Sequence, residues 1–140
     1  MRIAVIDGQG GGIGKHLIER LRKSLPEKVE LIALGTNALA TAAMLKAGAN
    51  EGASGPNAIK FMVDRVDLIV GPIGVVIPNS MLGELTAEMA NVITSSKPPK
   101  LLIPIIKDNL QFVGLGNEPL PHLVQELIKI IEKDYLIYNT

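Results

Sequence analysis

Residues 2–25 read RIAVIDGQGGGIGKHLIERLRKSL, and the order of their parts indicates the architecture of the chain. The continuous apolar run Ile3–Ile6 is typical of a strand buried on both faces of a sheet. From Ile13 to Leu25 apolar residues recur every four positions, which predicts an amphipathic helix. The glycine-rich residues 7–14 therefore form a turn from a buried strand into a helix.

The same alternation continues along the chain. Further strands are expected at Val29–Leu34, near residues 49–53, at Asp67–Val70 and at Lys100–Ile106, with a short edge strand at Gln111–Leu115. Helices are expected over Ala38–Ala47 with Asn37 as N-cap, after Gly55, from Thr86 to about Ile93, and over Leu120–Ile131. This pattern predicts an α/β fold, Rossmann-like and three-layered (α/β/α), with a mainly parallel sheet of about five strands. Residues 1–134 should form this single domain, and residues 135–140 an apolar C-terminal tail.

Composition limits the classes of partner. Lys+Arg and Asp+Glu both number 14, and only 3% of the residues are aromatic, so neither nucleic acid nor a membrane surface is an expected partner. The chain has no cysteine and only two histidines, which lie far apart in sequence, so no metal site is expected. The absence of cysteine also favours a cytoplasmic location. A mean hydropathy of +0.30 and the apolar tail favour self-association, most simply as a two-fold homodimer.

The first turn carries the strongest functional signal, because five of the seven positions from Gly8 to Gly14 are glycine. Glycine costs about 0.5–1 kcal/mol relative to alanine where the backbone does not require it, so surplus glycines favour close approach of a ligand. A helix N-terminus also attracts anions. The alternative is a tight turn that packs the helix on the strand. The residues expected to bind a phosphorylated ligand are Gly8, Gln9, Gly10, Gly11, Gly12, Ile13 and Gly14, with Thr36 and Asn37 beside them and Gly71, Pro72, Ile73 and Gly74 opposite.

The spacing Gly8-x-x-x-Gly12-Ile13-Gly14 resembles the cofactor loop of short-chain dehydrogenases, which implies NAD(P) or another nucleotide as the cofactor. Two features of that family are missing. The segment 34–37, LGTN, offers no carboxylate for a ribose at the end of the second strand. The catalytic Tyr-x-x-x-Lys pair is also absent, so we do not expect dehydrogenase chemistry.

Residues 10–16, GGGIGKH, also resemble the deviant P-loop of a class of ATPases. Gly10 stands at the place of that motif's first lysine, and His16 at the place of the hydroxyl that holds Mg²⁺. These two departures remove the groups that phosphate hydrolysis needs. The residues therefore predict an anion cradle without predicting an ATPase.

Asp7, Lys15 and Glu84 are the candidates for catalysis. Asp7 would repel a phosphate unless Mg²⁺ or a ligand amine lay between them, or it could instead accept backbone N–H groups and shape the loop. Lys15 could neutralise a phosphate or pair with Glu19. Glu84 could act with Asp7 if the segment 71–84, GPIGVVIPNSMLGE, folds back over the first turn.

Three blocks together, MRIAVIDGQGGGIGKHLIERL, ALGTNALATAAMLKAGANEG and DLIVGPIGVVIPNSMLGELT, resemble a family of small bacterial proteins of unknown function. The resemblance covers residues 1 to about 133 and implies no activity. The residues themselves favour binding of a nucleotide or another phosphorylated small molecule. They leave open a Mg²⁺-dependent enzyme acting on a phosphate ester, and an oligomeric regulatory protein whose glycine loop is purely structural.

Overall fold

The computed structural model describes residues 1–105 and 109–136. A five-stranded sheet with every pair of neighbours parallel forms its centre, in the order β3-β2-β1-β4-β5. The strands are β1 Arg2–Asp7, β2 Glu30–Gly35, β3 Glu51–Ser54, β4 Leu68–Pro72 and β5 Lys100–Ile103. The helices are α1 Gly12–Ser24, α2 Ala38–Ala47, α3 Pro56–Met62, α4 Ala87–Ser95 and α5 Leu120–Ile130. The predicted three-layer Rossmann-like α/β fold is confirmed.

The central strand β1 explains the three layers. Its apolar residues Ile3–Ile6 are fully buried, as expected for a strand covered on both faces. Ile3 and Val5 pack into the core beneath α1 and α5, whereas Ala4 and Ile6 pack into the core beneath α3 and α4. Each fully buried Ile or Leu side chain contributes about 1.5–3 kcal/mol, so the alternating contacts of one strand bind both helical layers to the sheet.

The strand order places the end of β1 between two neighbours. Asp7, the last residue of β1, pairs with Gly35, the last residue of β2. On the opposite side Val5 pairs with Val70 of β4. Because the chain leaves β1 towards β2 on one side and reaches β4 on the other, a crevice opens between the carboxyl ends of β1 and β4. Ligands of open α/β sheets bind at such a point.

The sequence prediction was wrong for the segment after the fifth strand. β5 ends at Ile103, because Pro104 has no N–H to continue the ladder, and the predicted end at Ile106 lies outside the described residues. Gln111–Leu115 is not an edge strand but an exposed loop. Gly114 adopts a φ of 91° there, so the chain turns where the apolar letters suggested extension.

The C-terminal end is described as far as Leu136. A π-helical turn over Ile131–Tyr135 follows α5, and Tyr135 and Leu136 pack against the core beneath α1. Residues 137–140 of the expected apolar tail lie outside the described residues. The part of the tail that is described thus extends the packing of α5.

Gly71 illustrates how tightly β4 is packed against β1. A Cβ at this position would lie 2.4 Å from the backbone oxygen of Ile6, which cannot move without disturbing the sheet. We expect Gly71→Ala to lower the free energy of unfolding by about 1–3 kcal/mol. The measurement is the midpoint of urea unfolding, with Gly116→Ala as control, because nothing lies within 4 Å of a Cβ at Gly116. Equal midpoints for the two variants would contradict the close approach.

Candidate functional site

A cleft of about 490 Å³ lies at the carboxyl ends of β1 and β4. Its size is within the usual range for small-molecule sites. The walls come from the segments that follow β1, β4 and β5. They are residues 7–13, Pro72, Gly74, Ile77, residues 80–82 and Ile105. The cleft therefore lies where the topology of the sheet favours a ligand.

Two glycines of the glycine loop, residues 8–14, are explained by close packing inside the protein. A Cβ at Gly8 would lie 2.6 Å from Thr36 Oγ1 and 2.7 Å from Met81 Sδ. A Cβ at Gly14 would lie 2.6 Å from Met44 Sδ. Real Cβ atoms do not approach neighbours so closely, so a side chain at either position would force these neighbours to shift.

The other three glycines divide into two kinds. Gly11 adopts a φ of 72°, and a Cβ there would lie 2.9 Å from Ala40 Cα, so both its conformation and its packing require glycine. Gly10 and Gly12 have no positive φ, and a Cβ on either would meet nothing within 4 Å. Both line the cleft. Nothing in the described part of the protein requires glycine at these two positions.

Asp7 holds the loop in shape. Its side chain is buried, Oδ1 accepts the N–H of Gly8 at 2.8 Å, and Oδ2 accepts the N–H of Gly14 at 2.7 Å. Burial raises the pKa of Asp7 and the charge of Glu84 adds to the rise, whereas the N–H groups of Gly14 and Gly8 oppose it. The carboxylate thus connects the end of β1 to the first turn of α1.

The free N–H groups of the loop are few. The N–H of Gly11 donates to the oxygen of Gly8 at 2.9 Å, and the N–H of Gln9 donates to Glu84 Oε1 at 2.8 Å. Among the described residues the N–H groups of Gly10 and Gly12 have no acceptor. The first turn of α1 also has no acidic side chain that could accept from them. Both N–H groups are therefore available at the positive end of the helix.

Glu84 belongs to the strap, which we define as residues 73–85 between β4 and α4. The strap begins with a 3₁₀ turn over Ile73–Val76 and returns across the glycine loop. The carboxylate oxygen Oε1 of Glu84 accepts hydrogen bonds from the N–H of Gln9, the hydroxyl of Thr36 and Nδ2 of Asn37. The Thr36 hydrogen bond holds the pKa of Glu84 below its usual value, helped by the Gln9 and Asn37 donors and opposed by partial burial.

The strap has an unusual backbone. The non-glycine residues Asn79, Met81 and Leu82 have φ values of 62°, 57° and 58°. Such conformations cost about 1–3 kcal/mol each for ordinary residues and occur most often at functional sites. Leu82 is 99% exposed at the rim of the cleft, so no buried contact of its own side chain compensates for its conformation.

The structure brings part of the predicted site together. The residues of the glycine loop except Gly14, with Pro72 and Gly74, line the cleft. Gly14, Gly71 and Ile73 do not line it, and Gly14 and Gly71 have packing roles instead. Thr36 and Asn37 lie beside the loop, as expected, but their donors point to Glu84. Asn37 also caps α2, as predicted, by accepting the N–H of Ala40.

The three candidate catalytic residues lie in different surroundings. Asp7 lines the cleft with both carboxylate oxygens already bonded, whereas Glu84 does not line it and accepts the N–H of Gln9. Lys15 is exposed and does not line the cleft. In the described part of the chain no lysine or arginine side chain lines the cleft, and no group of three His, Cys, Asp or Glu side chains could hold a metal ion.

Sequence analysis did not identify the hydrophobic side of the cleft. Ile77, Met81, Leu82 and Ile105 contribute apolar side chains to the cleft. The strap contains the apolar run Val75–Ile77. Val75 is buried in the core near α4, whereas Ile77 reaches the cleft, so a single run serves two purposes.

Fold and site define an α/β protein with the Rossmann strand order and a cleft at its switch point. The chain belongs to the family described as Domain of unknown function (DUF3842), whose model matches residues 2–136. No curated protein matches the sequence. None of the helices in the described ranges combines the length and apolarity that a membrane span needs.

The strain at Leu82 can be measured by substitution. Leu82→Gly removes an exposed side chain from a left-handed position, so we expect the free energy of unfolding to rise by about 0.5–1 kcal/mol. The matched control is Leu39→Gly, which removes another exposed leucine from within the helix α2 and should lower stability by about 1 kcal/mol. Urea unfolding measures both. A loss of equal size in the two variants would show that the strap is unstrained.

The hydrogen bonds of Glu84 predict a pH dependence. A carboxylate with a lowered pKa stabilises the folded state above its unfolded pKa, and this stabilisation is lost as the pH falls through the folded pKa. The raised pKa of Asp7 gives a pH dependence of stability of the opposite sign. The contribution of Glu84 is therefore measured as the difference in stability between the wild type and Glu84→Gln. We expect a stability difference of about 1 kcal/mol at neutral pH. It should persist above about pH 5 and shrink below about pH 4. A difference independent of pH would contradict the charged hydrogen bonds.

Proposed function

We propose that the protein binds a small phosphorylated molecule in the cleft, with the phosphate on the N–H groups of Gly10 and Gly12. The observation that carries the proposal is the pair of glycines that neither conformation nor packing inside the protein requires. A Cβ at either position would project into open space beside the cleft. The simplest explanation for glycine at both positions is that a ligand approaches the backbone closely there.

The charge distribution supports an anion at this point. Within residues 1–105 and 109–136, the N–H groups of Gly10 and Gly12 have no acceptor, and they lie at the positive end of a 13-residue helix. The carboxylate of Asp7 already accepts two N–H groups, which offset part of its negative charge next to a phosphate. Binding by backbone N–H groups needs no cationic side chain in the cleft.

The opposite wall supports an organic group attached to the phosphate. Ile77, Met81 and Ile105 present apolar surface, and Ser80 is already bonded through its hydroxyl to the oxygen of Gly74. An apolar wall facing a few directed donors is the usual composition of a small-molecule site. A nucleoside monophosphate has this chemistry, with a base for the apolar wall and one phosphate for the loop.

No observation on the described residues favours phosphate-ester hydrolysis over simple binding, because the carboxylate of Asp7 is engaged and Lys15 lies outside the cleft. The homodimer and the cytoplasmic location expected from composition stay predictions. The resemblance of the glycine loop to a dinucleotide loop was the reason to expect NAD(P), and the ligand panel below tests that expectation directly.

Gly12→Ala separates ligand binding from stability. Gly12 is the first residue of α1, so alanine should raise the free energy of unfolding of the free protein by about 0.4–1 kcal/mol. The added methyl group should abolish protection by phosphorylated ligands. A thermal-shift panel of inorganic phosphate, AMP, ATP and NAD, each with and without Mg²⁺, measures both effects. A ligand at 100 times its Kd adds about 2.7 kcal/mol to the stability of the wild type.

Gly116→Ala is the control for this experiment, because it changes the same residue type in an exposed loop outside the cleft. It should keep the full ligand protection of the wild type. If no phosphate compound protects the wild type, or if Gly12→Ala keeps the protection, the phosphate site is not at this loop.

A further inference from the structure

We propose that Glu84 selects the ligand by size: it latches the strap over the carboxyl end of β2, so that the cleft admits compact monophosphates and excludes dinucleotides. The inference rests on the proposed function, since selection presupposes a phosphate on the glycine loop. Its own evidence is the set of contacts that Glu84 makes with Gln9 of that loop and with Thr36 and Asn37 after β2.

The end of β2 is where a Rossmann dinucleotide site normally holds a ribose, through an acidic residue about 20 positions after the glycine motif. Here β2 ends at Gly35 and is followed by Thr36 and Asn37, which carry no carboxylate. The structure brings a carboxylate to that point from a distant segment, because Glu84 Oε1 accepts from both side chains. The polar groups that would meet a ribose are therefore bonded within the protein.

The strap also fills the space above the loop at this point. A Cβ on Gly8 would lie 2.7 Å from Met81 Sδ and 3.1 Å from Glu84 Oε1, so these side chains rest on the loop backbone. Neither Thr36 nor Asn37 lines the cleft. A molecule bound at Gly10 and Gly12 is thereby limited to the side of β1 that faces β4 and β5.

The latch is a local device that can open without unfolding the core. Behind Glu84 the strap is anchored by the buried Leu85, whose oxygen accepts the N–H of Asn79 at 2.8 Å. In front of it lie the left-handed residues Met81 and Leu82. The three hydrogen bonds to Glu84 Oε1 hold this strained part of the strap against the glycine loop and the end of β2. Removal of the oxygen lets the strap move away from both.

The experiment compares AMP with NAD by isothermal titration calorimetry on the wild type and four variants. The wild type should bind AMP at least roughly tenfold more tightly than NAD. Glu84→Ala should bind NAD about tenfold more tightly than the wild type does, so that the preference for AMP over NAD is lost. Glu84→Gln keeps the acceptor oxygen without the charge, so it should still exclude NAD. If Glu84→Gln admits NAD as well as Glu84→Ala does, charge repulsion excludes NAD and the latch is overturned.

A second variant weakens the latch from the opposite side and leaves Glu84 in place. Thr36→Val removes one donor at nearly constant volume and should admit NAD to an intermediate degree. Thr94→Val is its control, because the Thr94 hydroxyl donates to the oxygen of Ala90 within α4, away from the cleft. Exchange of the Gln9 amide with solvent should be faster in Glu84→Ala and Thr36→Val than in the wild type and Thr94→Val.

The possible failures are distinguishable. If neither AMP nor NAD binds any variant, the proposed function fails and size selection fails with it. If AMP binds, but NAD affinity is the same in the wild type, Glu84→Ala and Thr36→Val, only the role of Glu84 is overturned. An unchanged exchange rate at Gln9 in Glu84→Ala would also overturn it, because the latch would not be holding the loop.

Discussion

The two hydrogen bonds from the backbone of the glycine loop to the carboxylate of Asp7 connect β1 to α1. Gly11 precedes the helix and has no side chain to cap it, so the acceptor comes from the end of the strand instead. This bridge brings Asp7 Cβ to within 2.9 Å of the position where a Cβ on Gly14 would lie. One buried carboxylate thus dictates a glycine in the helix. It also fixes the loop conformation in which the N–H groups of Gly10 and Gly12 remain free.

The fold could be predicted from short apolar runs and helix caps because the residues of those patterns form its core. The run Ile3–Ile6 is buried on alternating faces, and the caps Asn37 and Thr86 both accept the N–H groups that their positions suggested. The failures have the opposite character. Gln111–Leu115 has the composition of a strand but lies exposed as a turn, since a strand exists only where a neighbour pairs with it. Composition alone does not supply that neighbour.

The candidate site was predictable only in part for a similar reason. The sequence identified a glycine-rich turn. It could not show that Gly8, Gly11 and Gly14 serve packing or conformation whereas the other two glycines do not. That division depends on atoms from other segments, such as Met44 beside Gly14 and Ala40 beside Gly11. The role of Glu84 was equally hidden, because its partner Thr36 lies 48 positions away in the chain. Residues 34–37 contain no carboxylate, and the carboxylate that contacts Thr36 and Asn37 comes from Glu84 of the strap.

The two carboxylates divide the donors of the loop between structure and ligand. Asp7 takes the N–H groups of Gly8 and Gly14, and Glu84 takes that of Gln9. Each engaged donor is lost to a ligand, yet each also rigidifies the loop and so reduces the entropy that a ligand would lose on ordering it. Since no cationic side chain of the described residues lines the cleft, long-range attraction of anions is weak there. Affinity for the proposed ligand would then come from short directed hydrogen bonds and apolar contact. A site of that kind discriminates ligands by shape more than by total charge.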